Sequence, residues 1–99
     1  MSNATVCLLT QAVTHLPEGN GDTELVVSMT RMPPHSKLSR QWNHDEEFAY
    51  ILDGFIVLHH EDKADEFYKK GDVGKIPLEQ AYKVSTQEEG ATILIFSVR

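Results

Sequence analysis

The feature that most constrains the fold is the alternation of short apolar runs with turn-forming residues along the whole chain. The runs are rich in β-branched and aromatic residues, and glycine, proline or acidic residues close each of them. The best helix candidate, residues 43–52, has a strand-like second half and runs directly into Asp53-Gly54. The pattern therefore predicts an all-β fold with eight or nine short strands, spaced as in a sandwich or a barrel.

Two breaks in this pattern have a clear physical basis. Pro33-Pro34 ends the second run, because proline has no N–H to donate to a sheet ladder. Asp53-Gly54 is a typical two-residue hairpin turn, and it predicts that the chain reverses there. The predicted strands are Thr5–Thr14, Glu24–Arg31, Glu47–Leu52, Phe55–His59, Glu66–Tyr68, Val73–Ile76, Ala81–Ser85 and Ala91–Val98.

Length and charge limit the class of protein and of partner. Ninety-nine residues predict one domain, residues 1–99, close to the lower size limit for a self-sufficient core. Fifteen acids against nine bases give a net charge of −6, which argues against nucleic acid or an anionic membrane as a partner. A single cysteine, Cys7, excludes an internal disulfide and favours a core role in a reducing compartment. With no apolar span or signal-like segment in this sequence, we expect a cytoplasmic location.

The stretch from His35 to Gly54 resembles the first motif of the cupin superfamily. That motif is a glycine, five residues, H-x-H, three or four residues, a glutamate, six residues and a glycine. Counting back from Gly54, the glutamate position falls on Glu47. The two histidine positions fall on Gln41 and Asn43, and the leading glycine falls on His35, directly after two prolines.

Residues 71–86 are similar to the second cupin motif, which has a glycine, a P-x-G, a histidine and an asparagine. Gly71 and Pro77 match with the family spacing. The second glycine falls on Glu79, the histidine on Tyr82 and the asparagine on Thr86. The resemblance covers roughly residues 24–98, and it implies a jelly-roll β-barrel of two packed antiparallel sheets.

In metal-binding cupins, the three histidines and the glutamate converge on one divalent ion inside the barrel. Here the corresponding positions carry Gln41, Asn43, Glu47 and Tyr82, of which only Glu47 is a strong ligand. The resemblance therefore implies no firmly held transition metal and no required cofactor. One alternative stays open: a strand bulge or a one-residue slip would turn His44 inward, where it would bind a divalent metal together with Glu47.

Glu47 also starts an apolar strand, and Ala49 and Ile51 share its face by alternation. A carboxylate on this interior face holds its proton more tightly unless it meets a donor or an ion, so it is a candidate general acid or base. Tyr82 is a candidate hydrogen-bond donor to a ligand. The alternative is structural, with Glu47 hydrogen-bonded to Tyr82 or Gln41. His59-His60 end a strand, and we predict an exposed pair there rather than a surface metal site with Glu61 and Asp62.

Three functional hypotheses follow from these residues, and a purely structural or regulatory dimer is a fourth possibility. The first is a barrel that binds a small organic molecule, with Gln41, Asn43, Glu47 and Tyr82 as the polar lining. The second is a metal-free isomerase, lyase or cyclase in which Glu47 is the catalytic base and Tyr82 donates to an oxyanion. The third is a metal-dependent cupin that uses the shifted His44 and Glu47 site. By resemblance, we also expect a homodimer in which Thr5–Thr14 adds to the partner's sheet.

Overall fold

A computed structural model describes residues 7–15, 23–40, 45–76 and 81–98. All regular structure within these ranges is antiparallel β-sheet, as predicted. None of these residues belongs to a helix with the length and apolar character that crossing a membrane requires. The strands are β1 (Cys7–His15), β2 (Glu24–Met32), β3 (Lys37–Arg40), β4 (Glu46–His60), β5 (Glu66–Lys69), β6 (Val73–Ile76), β7 (Tyr82–Ser85) and β8 (Ala91–Val98).

One long strand, β4, joins two sheets into a curled barrel. Its first half pairs with β8 and β6, and β8 continues through β2 to β1, which forms the first sheet. Its second half pairs with β7 and β5, and β7 pairs with β3, which forms the second sheet. The two-sheet jelly-roll architecture is thus confirmed, with β4 as the shared strand.

The hairpin predicted at Asp53-Gly54 is wrong, because the chain continues as one strand from Glu46 to His60. The pairing with β8 shifts register between Ile51 and Asp53, and Gly54 has a φ of +88°. A bulge followed by a glycine in this conformation bends a strand sharply without reversing it. A Cβ at position 54 would also overlap the carbonyl oxygen of Gly90, so the bend brings two backbones into close contact.

The core lies between the two sheets and is almost entirely aliphatic. Met32 and Ile51 are the most completely buried large side chains, each 1% exposed. Burying apolar area of this kind supplies the main favourable term in folding. The core cluster consists of Met32, Ala49, Ile51, Ile56, Leu58, Ile76, Tyr82, Val84, Ala91 and Ile93.

A buried hydrogen-bond network closes the end of the barrel near Gly54. The Thr86 hydroxyl donates to the Pro33 carbonyl at 2.6 Å and accepts from the Ser36 backbone N–H at 3.0 Å. The backbone N–H of His35, which has a φ of +54°, donates to the Gln87 carbonyl. These bonds tie the turn after β2 to the segment between β7 and β8, as buried backbone groups require.

Strand register fixes which residues lie at the opposite end. In β8, residue 91 is opposite Gly54 and residue 97 is opposite Glu47. In β7, Ser85 is opposite Val57 and Tyr82 is opposite His60. Since residues 86–90 connect β7 to β8 beside Gly54, the end away from this connection carries Glu47, His60, Tyr82 and Ser97. We refer to these four residues as the polar end.

Candidate ligand site in the barrel

Strand alternation places Glu47 on the interior face of β4, as the sequence pattern predicts. Glu47 is 7% exposed, and Ala49 and Ile51, two and four residues further along, are also buried. On the neighbouring strands, Glu47 is opposite Ile76 of β6 and Ser97 of β8. Its carboxylate therefore belongs to the lining of the barrel, although its chemical role stays a prediction.

Tyr82 is buried at the start of β7, with 5% of its surface exposed. It is directly opposite His60 on β4 and opposite Arg40 on β3. Directly opposite residues of an antiparallel pair share a face, with Cβ atoms about 4.5–5.5 Å apart. Tyr82 and His60 are consequently neighbours on the inside of the barrel.

The prediction that His59 and His60 form an exposed pair is wrong for His60, whose side chain is 2% exposed. It shares the inner face of β4 with Ile56 and Leu58, which belong to the core. Its Nε2 lies 3.2 Å from Glu66 Oε1, and its buried Nδ1 has no hydrogen-bond partner within the described ranges. The sequence pattern could have predicted the inward position of His60, because His60 is two residues beyond Leu58 and side chains alternate along a strand.

Glu66 and Tyr68 of β5 extend this interior network. The Tyr68 hydroxyl donates to Glu66 Oε1 at 2.8 Å, the same oxygen that His60 approaches. Burial and the Glu66 carboxylate raise the pKa of Tyr68 to about 12. The Tyr68 hydroxyl and then His60 hold the pKa of Glu66 below its usual value. At neutral pH this arrangement keeps a neutral phenol against a charged carboxylate.

A cavity of about 40 Å³ lies inside the barrel between the core side chains. Its wall is mostly aliphatic, and the polar contributions come from the buried Tyr82, the half-buried Tyr68, a threonine and a lysine. The lining residues are Thr30, Met32, Leu38, Ala49, Ile51, Ile56, Leu58, Tyr68, Gly74, Lys75, Ile76, Tyr82, Val84, Ile93 and Ile95. A space of this size holds one or two water molecules, or one end of a larger molecule.

Ser97 adds a fourth polar side chain to this end of the barrel. It is 6% exposed and directly opposite Glu47. Within the described ranges its Oγ has no hydrogen-bond partner, which is unusual for a buried hydroxyl. The pattern of the sequence singled out Glu47 and Tyr82 but missed Ser97 and His60, because both lie outside the motif positions.

The donor set of the described residues does not fit a transition-metal centre. Within these ranges, no group of three His, Cys, Asp or Glu side chains is arranged to hold an ion. At the motif positions there, Glu47 is the one strong ligand, and the neutral phenol of Tyr82 is a poor one. Gln41, Asn43 and His44, which carry the rest of the predicted lining and the shifted metal site, lie outside the described residues.

Comparison with solved structures supports the cupin resemblance at the level of fold. A cupin 2 conserved barrel domain protein from Salinispora arenicola is 20% identical with a TM-score of 0.67, covering 96% of this chain and 75% of its own. A cupin superfamily protein from Desulfitobacterium hafniense is 13% identical with a TM-score of 0.63, covering 90% and 77%. The EutQ protein of Clostridium difficile is 14% identical with a TM-score of 0.68, covering 96% and 63%. No protein-family model and no curated protein matches the sequence.

Proposed function

Starting from a cupin-type barrel as the fold of this chain, we propose that it binds a small organic molecule inside the barrel without a firmly held transition metal. The ligand places an apolar part in the cavity and a hydrogen-bonding group among Glu47, His60 and Tyr82. Gln41 and Asn43 complete the polar lining in this proposal. The observation that carries it is the apolar cavity that Tyr82 lines, together with the buried imidazole of His60 opposite Tyr82.

The size of the cavity limits the ligand. Drug-sized ligands occupy roughly 300–1,000 Å³, whereas this cavity has about 40 Å³. The proposed ligand is therefore a short-chain alcohol, acid or sugar-like molecule that inserts one end only. A buried carboxylate, imidazole and phenol together favour a ligand whose hydroxyl groups both donate and accept hydrogen bonds.

A thermal-shift screen of small alcohols, acids and sugars tests this proposal, because a ligand that binds only the folded state raises the unfolding midpoint. For each compound that raises it, calorimetric titration is repeated with Tyr82→Phe and His60→Gln. Tyr50→Phe is the matched control, since Tyr50 is half-buried on the other face of β4. We expect at least tenfold weaker binding in the first two variants alone, equal to about 1.4 kcal/mol. Equal binding by all variants would contradict an interior site.

The metal part of the proposal is tested separately by elemental analysis of tag-free protein purified without added metal. We expect no stoichiometric iron, manganese, nickel or zinc. A stoichiometric ion that disappears in His44→Ala would instead establish the shifted site with Glu47. A stoichiometric ion that remains bound in His44→Ala would contradict both the metal-free proposal and the shifted site.

A second candidate is acid–base catalysis on the bound molecule, which the burial of Glu47 on the interior face favours. In this case Glu47 removes a proton and Tyr82 donates to the developing oxyanion. NMR titration of Glu47 tests the idea, because a base poised for neutral pH needs a raised pKa. A pKa near the ordinary value of about 4.3 would contradict it.

We also propose that the chain forms a homodimer through β1. Within the described ranges β1 pairs with β2 alone, so its other edge presents unpaired backbone groups. Leu9 and Val13 of this strand are exposed apolar side chains. A second copy that adds β1 to its sheet would cover both features. Sedimentation at micromolar concentration tests this: we expect the dimer mass, and a shift to the monomer mass in Val13→Lys.

A further inference from the structure

The outer face of the second sheet carries three polar side chains in contact, with a histidine between a serine and an aspartate. His59 Nε2 lies 2.8 Å from Ser85 Oγ, and His59 Nδ1 lies 3.1 Å from Asp65 Oδ1. The three residues come from three separate elements, namely the end of β4, the turn before β5 and the end of β7. The imidazole therefore bridges a hydroxyl and a carboxylate through its two ring nitrogens.

The alternation of side chains between the two faces of β4 explains this placement. His60 points into the barrel, so His59 points outward, and its half-exposed ring reaches Ser85 on the neighbouring strand. A neutral imidazole carries one proton, and the Asp65 carboxylate at Nδ1 favours the tautomer with the proton on that nitrogen. Nε2 is then an acceptor, and the Ser85 hydroxyl donates to it. This is the geometry in which a serine hydroxyl is activated by a histidine base.

We propose that Ser85, His59 and Asp65 form a second site, in which Ser85 is a nucleophile that hydrolyses small activated esters. In the first step, Ser85 Oγ forms a bond to the ester carbonyl carbon and His59 Nε2 takes the hydroxyl proton. The carbon–oxygen bond to the leaving alcohol then breaks, and His59 returns this proton to the alkoxide. Water attacks the acyl-serine with His59 again as base, which releases the carboxylic acid and restores the hydroxyl.

The surroundings of Ser85 suit this chemistry in charge and in access. Lys37 is directly opposite Ser85 on β3, and Lys83 is directly opposite His59, so both lysines are on the same outer face. Two positive charges on this face favour the negative charge that forms during attack. Ser85 is 9% exposed, while the His59 and Asp65 side chains are partly exposed. Because Ser85 is buried, a substrate reaches its Oγ only with a small acyl group.

This site is chemically separate from the polar end inside the barrel. Glu47, His60 and Tyr82 face the interior, whereas Ser85 and His59 face outward on the same two strands. Loss of ester hydrolysis and loss of interior ligand binding are thus distinguishable by variants on opposite faces. Asp65 is a positioning residue here, because it acts on the substrate only through the orientation and tautomer of His59.

Labelling with a fluorophosphonate tests the nucleophile directly, since Ser85 Oγ would displace fluoride and form a stable bond to phosphorus. We expect peptide mass analysis to find the label on Ser85, and we expect p-nitrophenyl acetate hydrolysis above the rate of Ser85→Ala. His59→Gln should slow labelling about 10²–10⁴-fold, the usual contribution of a general base. Asp65→Asn should also slow it, and Asp65→Glu, which keeps the carboxylate, should recover part of the rate.

Ser39→Ala is the matched control. Ser39 is an exposed serine of β3, opposite Lys83 on the same face, without a histidine hydrogen bond among the described residues. Its removal should leave labelling and hydrolysis unchanged. The proposal is overturned if Ser85 is not labelled, or if His59→Gln labels as fast as the unchanged protein. Circular dichroism and unfolding midpoints of every variant separate a lost reaction from a lost fold.

Discussion

The replacement Tyr68→Phe isolates a hydrogen bond within β5, between the Tyr68 hydroxyl and the Glu66 carboxylate that His60 also approaches. Tyr68 donates to Glu66 Oε1 at 2.8 Å, and its ring packs against the core and over Gly74. Phenylalanine keeps this ring in place and removes only the hydroxyl. The change therefore measures the hydrogen bond with little change in apolar packing.

The magnitude follows from the charge and exposure of the two groups. A hydrogen bond to a charged group contributes about 1.5–3 kcal/mol to stability. The Glu66 side chain is 43% exposed, so water replaces part of the lost interaction, and the lower end of this range applies. We expect Tyr68→Phe to lower the free energy of unfolding by about 1.5 kcal/mol at pH 7.

The pH dependence gives a second, independent signature. The pKa of Tyr68 is raised from 10.0 to about 12 in the folded protein. Between these values the unfolded chain loses the phenol proton while the folded chain keeps it, so stability falls as the pH rises. Two pKa units correspond to about 2.7 kcal/mol, which solvent screening of this half-buried group reduces to about 1–2 kcal/mol. Tyr68→Phe has no phenol at this position and lacks this loss. The difference in free energy of unfolding between the unchanged protein and Tyr68→Phe should therefore become smaller between pH 10 and 12.

Urea unfolding from pH 7 to 12 measures both effects. Tyr50→Phe is the control. The Tyr50 hydroxyl makes no hydrogen bond among the described residues, and its ring lies on the outer face of β4, away from the core. This control should have the stability of the unchanged protein at pH 7. A Tyr68→Phe variant as stable as the control at pH 7, or one whose stability deficit stays constant up to pH 12, would refute this role of the Tyr68 hydroxyl.

Three further substitutions test the fold. Gly54→Ala should lower stability by more than about 3 kcal/mol, since the methyl group overlaps the Gly90 carbonyl and φ is positive; a smaller loss in urea unfolding would contradict the close contact at the bend. Gly74→Ala should cost about 1–3 kcal/mol by displacing the Tyr68 ring, and it should also abolish the stability loss between pH 10 and 12, which the same pH series measures. Thr86→Val should cost about 1–3 kcal/mol, because the buried Ser36 N–H loses its side-chain acceptor; an unchanged unfolding midpoint would show that this network is dispensable.

The order and limits of most strands were predictable because turn residues punctuate the sequence. The predicted breaks lie at strand ends in the structure, namely Pro33-Pro34, Gly71 and residues 87–90. The backbones of these residues favour turns over continued strand pairing. Strand β3 was not predicted, since Lys37–Arg40 is short and mostly polar and has no apolar alternation. It is a strand because β7 offers it a hydrogen-bonding edge, and such long-range pairing leaves no local signal.

The bend at Gly54 shows why local turn chemistry is ambiguous. Asp-Gly supplies a positive φ both in a two-residue hairpin and in a strand bulge. The choice depends on distant residues: both Asp53 and Gly54 pair with β8, and Gly90 lies against the glycine. A reversal at this point would remove those pairs. Only tertiary contacts therefore decide between the two structures.

The two candidate sites depend on a single structural constraint, namely which residues of β4 face the core and which face outward. Ile56 and Leu58 must face the core, which turns His60 inward beside Tyr82 and His59 outward beside Ser85. A slip of one residue would exchange the two histidines and also expose both aliphatic side chains, at about 1.5–3 kcal/mol for each. The packing of two ordinary core residues thus turns one imidazole into the barrel beside Tyr82 and the other outward to Ser85, although neither histidine occupies a metal-ligand position of the family motif.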